Sequence, residues 1–254
     1  METRSISTLA RVGLAAKGTV YSLLGLLAIM AAFHLNGKST NDAGTRGVFA
    51  FIEDQAGGKI ILAVLALGLL CYVAWRMIQA LRENEKVAKR ARYFLSGLAY
   101  AALAFQVGRM LFGKGQRKGD SNEKVASEIL SADSGQWLLG LLAVTILAIG
   151  IYQIYYGLSE KYRKHVGDAA AGNKNLLLAG KIGYVARGAV WILVAYLFFR
   201  AALNSNSSNA GSTPDAFGYL QQTEYGTLLM AAMALGLMCY GIFCFVRAKY
   251  EQFS

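Results

Sequence analysis

Among the basic side chains that lie within apolar stretches of this sequence, three are candidates for a functional role, because a charge there needs either a partner or a route to water. Lys17 and Arg187 occupy the same place in two similar segments, Ala-Lys-Gly and Ala-Arg-Gly, and Arg76 follows Trp75 in another stretch. A long basic side chain near the end of a membrane span can extend its charge to the membrane surface. Alternatively, such a cation binds an anion such as a lipid phosphate, which suits the paired N–H donors of arginine. The sequence favours the first interpretation and leaves an anionic-lipid or ligand contact as the alternative.

Arg76 has polar residues at a similar depth in other stretches. A polar vestibule is therefore an alternative to a surface-directed side chain at this position. The residues that would line it with Arg76 are Gln79, Arg82, Gln153 and Tyr156.

Residues that commonly catalyse reactions or bind metals are sparse here. No Asp or Glu lies within an apolar stretch, so a carboxylate proton relay or sodium site is not indicated. The histidines, His34 and His165, are far apart, and no cysteine pair has the spacing of a metal site. No nucleophile triad or nucleotide-binding glycine loop is recognisable. We therefore expect no cofactor, no metal and no enzymatic activity.

Small residues recur at helical spacing in the apolar stretches. In the first stretch they fall at i, i+4 and i+7, which is one face of a helix. Small residues allow helix backbones to approach closely in lipid, so we expect helix packing, with a substrate path as the alternative. The predicted packing residues are Gly18, Ser22, Gly25, Gly97, Gly188, Gly68 and Gly236.

The composition predicts an integral membrane protein. The chain has 254 residues, of which 55% are hydrophobic and only 16% are charged. The apolar residues gather into six stretches of about 20 residues, the length that crosses a hydrocarbon core. These predicted spans are 14–35, 60–81, 93–112, 136–158, 182–203 and 226–248. We expect the first to be retained rather than cleaved as a signal peptide, because its sequence recurs deep inside the chain.

The spans are organised as an internal repeat. A cation, a glycine seven residues later and an aromatic residue three further on begin each odd-numbered span, with glycines at Gly18, Gly97 and Gly188. The even-numbered spans share Ala-Leu-Gly-Leu-x-x-Tyr, which is weaker in the fourth. The repeats cover 10–81, 89–158 and 180–249 of a single membrane domain, 1–254. Two spans per repeat give all three the same orientation, so we expect an all-α bundle of three parallel two-helix repeats with pseudo-threefold symmetry.

The charges predict the orientation of the bundle. Assigned to the nearer side, they give the side with both termini a net charge of +11, the whole formal charge of the chain. The positive-inside rule then places both termini in the cytoplasm. These cations lie at span ends, where anionic headgroups attract them, so the basic composition does not indicate nucleic-acid binding.

The repeated motifs resemble domain-of-unknown-function family 1206 (DUF1206), bacterial membrane proteins of three tandem two-helix repeats. The resemblance covers nearly the whole chain. It implies a bacterial origin and the architecture above, but no activity. The second copy departs from the pattern, with Arg92 in place of the first glycine, Ser96 in place of the cation and Thr145 in place of the even-span glycine.

Together these features predict a multi-pass protein of the bacterial inner membrane that acts as a structural or interaction protein. The alternatives are a small permease or channel with a path along the pseudo-threefold axis, or a protein that binds anionic lipid. The expected partners are the lipid bilayer and anionic phospholipids, with another membrane protein or a second copy of the chain as further candidates.

Overall fold

The computed structural model describes residues 2–81, 87–113, 121–132, 134–166 and 173–251. All the regular secondary structure in these ranges is helical. The α-helices are α1 (Glu2–Ala32), α2 (Thr45–Glu53), α3 (Gly58–Leu81), α4 (Val87–Leu111), α5 (Ser121–Leu130), α6 (Gly135–Leu158), α7 (Lys174–Leu203), α8 (Thr213–Gln221) and α9 (Gly226–Tyr250).

Six of these helices are long and apolar enough to cross a membrane: α1, α3, α4, α6, α7 and α9. They correspond one to one with the six predicted spans, so the chain is a multi-pass membrane protein. Both ends of the described chain lie at one end of the bundle, which we call the basic end. The opposite end, where each repeat turns back, is the loop end.

The two longest helices, α1 and α7, begin well before the apolar pattern predicted. The first predicted span begins at residue 14, but α1 begins at Glu2 and ends at Ala32. α7 begins at Lys174 rather than at residue 182, and the Asn173 side chain caps it by accepting two backbone N–H bonds of 3.0 and 3.3 Å. Hydropathy detects only the part of a helix that lies in hydrocarbon, so it misses polar turns that continue the helix beyond it.

The six long helices form an incomplete ring. The order around the ring is α1, α3, α4, α6, α7 and α9, and α9 packs against α1. Ring order therefore follows chain order, and the predicted pseudo-threefold arrangement of three repeats is confirmed. One interface is missing, because α4 and α6, the two helices of the second repeat, barely contact each other. We call this opening the α4–α6 gap.

The motif glycine of each odd-numbered span packs against the even-numbered span of another repeat. The three contacts are Gly18 with Phe245, Gly97 with Met77, and Gly188 with Ile154. The three glycines occupy equivalent positions in the repeat, and so do their three partners. This equivalence is direct structural support for the pseudo-symmetry. The α1–α9 interface also contains Ser22, against Gly241, and Gly25, against Met238.

Within the first and third repeats, small residues hold the two helices together. A methyl group on Gly13 would come within 2.6 Å of the Tyr72 Cα, and one on Gly183 would come equally close to the Tyr240 Cα. The other small-residue pairs at these interfaces are Gly68 with Ala16 and Gly236 with Ala186. Each predicted packing residue thus lies at a helix–helix contact.

The second repeat lacks these small residues. Arg92 replaces the first glycine, Leu95 replaces the alanine, and Thr145 replaces the even-span glycine. All three are exposed. Larger side chains prevent the close backbone approach seen in the other two repeats, which accounts for the α4–α6 gap.

The loop end of the bundle is capped and apolar. The short helices α2, α5 and α8 pack against the ends of the long helices. Below them, one apolar cluster fills the bundle between the first and third repeats, and its fully buried members include Leu27, Leu62, Leu69 and Met230.

Candidate functional site

Lys17 lies inside the bundle rather than at its surface. The side chain is only 4% exposed. Its ammonium group lies 5.1 to 5.9 Å from the centres of four tyrosine rings, Tyr21, Tyr72, Tyr100 and Tyr240. It also donates a 3.4 Å hydrogen bond to the Tyr72 hydroxyl. Cation–π attraction and this hydrogen bond stabilise the charge where water does not reach it.

Arg187 and Arg76 bind the same tyrosines. Arg187 Nη1 donates a 2.8 Å hydrogen bond to the Tyr240 hydroxyl, and its guanidinium lies 5.4 Å from the Tyr21 ring. Arg76 donates from Nε and Nη2 to the Tyr72 hydroxyl at 2.9 and 2.8 Å. The tyrosines come from α1, α3, α4 and α9, so four helices position the three cations. We call this cluster the basic core; its members are Lys17, Arg76, Arg187, Tyr21, Tyr72, Tyr100 and Tyr240.

The basic core holds cations without carboxylates. No Asp or Glu occurs within the apolar limits of the six long helices. Each of the three cations donates to a tyrosine hydroxyl, Arg76 also donates to Gln79, and none of these acceptors is a carboxylate. Some buried polar groups also have no hydrogen-bond partner among the described residues, including Arg187 Nε and both amide atoms of Gln153.

The family of the chain is clear from sequence comparison. The family described as Domain of Unknown Function (DUF1206) matches three times, at residues 12–83, 91–160 and 182–251. The chain belongs to this family. The resemblance suggested by the repeated motifs is thereby confirmed.

The chain is also similar to a protein of Bacillus subtilis (strain 168) that is described as uncharacterized protein YxxB. The two sequences are 26% identical, and the similarity covers 98% of this chain and 92% of that protein. No solved structure matches the chain.

The DUF1206 structure gives the three predicted cations different surroundings from those expected. A surface-directed Lys17 would turn its charge away from the bundle, but its ammonium group is enclosed by tyrosine rings from four helices and donates to the Tyr72 hydroxyl. Arg76 Nη1 donates to Gln79 Oε1 at 2.7 Å, so two of the residues proposed to line a vestibule are in contact. Arg82 lies outside the described residues.

The tyrosines of the basic core were not predicted as site residues. Their signal was present, because Tyr72 and Tyr240 end the repeated even-span motif and Tyr21 and Tyr100 are the repeated aromatics. Neutral aromatic residues in a span usually pack in lipid or between helices, so position alone does not separate them from packing residues. The role of these tyrosines is identified only in the structure, where tyrosines of the odd-span and even-span motifs surround Lys17.

A second polar group closes the basic end of this DUF1206 bundle. Buried Arg247 binds Glu251 through two hydrogen bonds, from Nε to Oε2 at 2.8 Å and from Nη2 to Oε1 at 3.0 Å. His165 Nδ1 lies 2.7 Å from the same carboxylate. Burial alone would raise the pKa of Glu251, but Arg247 and His165 outweigh it and lower that pKa below its usual value. Unlike the cations of the basic core, Arg247 therefore has its own carboxylate.

Proposed function

We propose that this protein is a non-enzymatic protein of the bacterial inner membrane that binds a phosphate-type anion in its basic core. The observation that carries the proposal is the presence of three cations, Lys17, Arg76 and Arg187, in a cluster without a carboxylate. The anion could belong to a phospholipid headgroup or be a free phosphate, and the recognition chemistry is the same.

Charge balance favours an anion at this place. Buried charges are costly unless they are paired, and like charges close together add to the cost. Arg187 contributes an unpartnered Nε beside an Nη1 that already bonds Tyr240. A phosphate oxygen on the Nε side would satisfy this donor and offset the positive charge.

The packing of the loop end favours binding over transport. A permease or channel along the pseudo-threefold axis needs a polar path through the whole bundle. Between the basic core and the loop end, the interior is filled by apolar side chains such as Leu27, Leu62 and Met230. A ligand in the basic core thus has apolar packing above it rather than a polar exit, which supports a binding or structural role.

Removal of the Arg187 guanidinium tests the anion site. We expect Arg187→Gln to lower bound anion on the order of tenfold, because a hydrogen bond to a charged group contributes about 1.5–3 kcal/mol. Arg187→Lys should also lower it, since an ammonium lacks the paired donors. The measurements are phospholipid per protein by native mass spectrometry, and calorimetric titration of lipid-stripped protein with inorganic phosphate. If the wild-type protein co-purifies with phospholipid, the anion is a lipid headgroup. If the lipid-stripped wild type binds inorganic phosphate, the anion is a free ion.

The matched control is Lys249→Gln, which removes an exposed cation near the basic end. It should leave anion binding unchanged. An equal loss in Lys249→Gln and Arg187→Gln would show general attraction to the basic end. Full retention by Arg187→Gln would contradict the site.

The orientation has its own prediction. The excess of positive charge at the basic end supports cytoplasmic termini. Reporter fusions at residue 88 and at the C-terminus should therefore report a cytoplasmic location, and fusions at residues 42, 118 and 208 a periplasmic one. A periplasmic signal at residue 88 or at the C-terminus would reverse the proposed orientation.

A further inference from the structure

The α4–α6 gap exposes apolar surface where the other repeats pack. Leu95 on α4 is 62% exposed and Ile149 on α6 is 42% exposed. The counterparts of Ile149 in the other repeats, Tyr72 and Tyr240, are buried. The gap is therefore a groove between two spans with apolar side chains on both walls, facing the hydrocarbon of the membrane.

Both walls of the gap also carry residues that reach the ligand site. From α4, the ring of Tyr100 lies 5.1 Å from the Lys17 ammonium and 4.5 Å from the Tyr72 ring. From α6, Gln153 takes the place that Arg76 has in the first repeat. Gln153 is only 7% exposed, and neither its amide nitrogen nor its amide oxygen has a hydrogen-bond partner in the described parts of the chain.

Gln153 lies level with Arg187. Gly150 of α6 packs against Gly188 of α7, and Gly157 packs against Tyr184, so the α6 segment between them faces the turn of α7 that holds Arg187. Two groups with buried, unpartnered polar atoms, the amide of Gln153 and the guanidinium Nε of Arg187, thus lie at one depth beside the gap. A buried polar group left unpaired is costly, so this pair points to a ligand with oxygen atoms.

The depth and the rim of the gap fit a lipid headgroup. Gln153 is five residues from the end of α6 at Leu158, which is about 7.5 Å at 1.5 Å per residue. At the basic end, Arg92 Nη1 donates a 3.3 Å bond to the Tyr152 hydroxyl across the gap. An exposed arginine at this depth attracts anionic headgroups toward the opening.

We infer that the ligand of the basic core is an anionic phospholipid that enters sideways through the α4–α6 gap. Its phosphate binds Arg187 and Gln153, and an acyl chain lies between Leu95 and Ile149. This inference rests on the proposed function and adds the ligand class and its route. The loss of small residues in the second repeat is then the feature that opens the site, while the first and third repeats form the closed walls.

Filling the gap tests this route. Thr145→Trp places a large ring in the gap, because Thr145 is equivalent to the glycines that face the odd-numbered helix in the other repeats. Val144→Trp is the matched control, since Val144 is exposed and adjacent on the same helix. We expect Thr145→Trp to lower co-purified phosphatidylglycerol at least fivefold and Val144→Trp to leave it unchanged. A photoreactive residue at position 145, in vesicles of phosphatidylglycerol and phosphatidylcholine, should cross-link preferentially to phosphatidylglycerol.

The outcomes separate this inference from the proposed function. If Arg187→Gln loses phospholipid but Thr145→Trp retains it, the anion site stands and the lateral route is wrong. If both retain it, both are wrong. Cross-links at position 145 to protein instead of lipid would show that a second copy or another membrane protein covers the gap, which would also overturn the inference.

Discussion

Replacing Glu251 with glutamine should destabilise the protein by about 3–5 kcal/mol, the cost of leaving one partner of a buried ion pair without its charge. Arg247 is 4% exposed, and the Glu251 carboxylate is the acceptor for both its Nε and its Nη2. A glutamine retains one acceptor but cannot balance the charge. Thermal unfolding in detergent at neutral pH measures the effect, and Glu224→Gln, at an exposed position at the loop end, is the control.

The same carboxylate gives the stability a defined pH dependence. Because the pKa of Glu251 is lower in the folded protein than its usual value, its contribution is complete above the usual value. The contribution is lost only as the pH falls through the lowered pKa. The wild type should therefore lose more stability than Glu251→Gln when the pH is lowered from neutral into the acid range. Parallel acid curves for the two proteins would show that Glu251 does not stabilise the fold through its charge.

The spans and the repeat could be predicted from the sequence because both depend on local patterns. A run of apolar residues specifies a membrane helix without knowledge of its neighbours. The repeated glycines predicted packing for the same reason, since a small residue on a helix face implies close approach. The three substitutions of the second repeat, at Arg92, Leu95 and Thr145, also explain the α4–α6 gap once the partners of the equivalent glycines are known.

The basic core could not be predicted in the same way, because it depends on depth and on convergence. The position of Lys17 within α1 depends on where that helix begins, and the predicted span left out the twelve residues 2–13 of α1. The tyrosines that surround Lys17 include Tyr72, Tyr100 and Tyr240, which lie on three different helices. No single segment of the sequence shows that these three residues meet. A charge inside an apolar stretch was the correct signal, but the partners of Lys17 include Tyr72 on another helix of its repeat and Tyr100 and Tyr240 in the other two repeats.

Gly183→Ala should disturb both the fold and the basic core, and it is the sharpest test of the close packing within the repeats. The new methyl group would lie 2.6 Å from both the Cα and the backbone nitrogen of Tyr240, so α9 must move rather than a flexible side chain. Overpacking of this kind costs about 1–3 kcal/mol. The matched control is Gly140→Ala on α6, where a methyl group meets no atom within 4 Å. We expect a lower melting temperature only for Gly183→Ala.

The same variant should weaken anion binding, although position 183 carries no charge. The Tyr240 hydroxyl accepts the hydrogen bond from Arg187 Nη1, and its ring lies 5.3 Å from the Lys17 ammonium, so a displaced α9 moves a tyrosine that both cations contact. Phospholipid per protein, measured by native mass spectrometry at a temperature where the variant is folded, should fall for Gly183→Ala and not for Gly140→Ala. Equal melting temperatures for the two variants would contradict the close contact. A lower melting temperature with unchanged phospholipid would instead mean that the position of Tyr240 does not control the anion site.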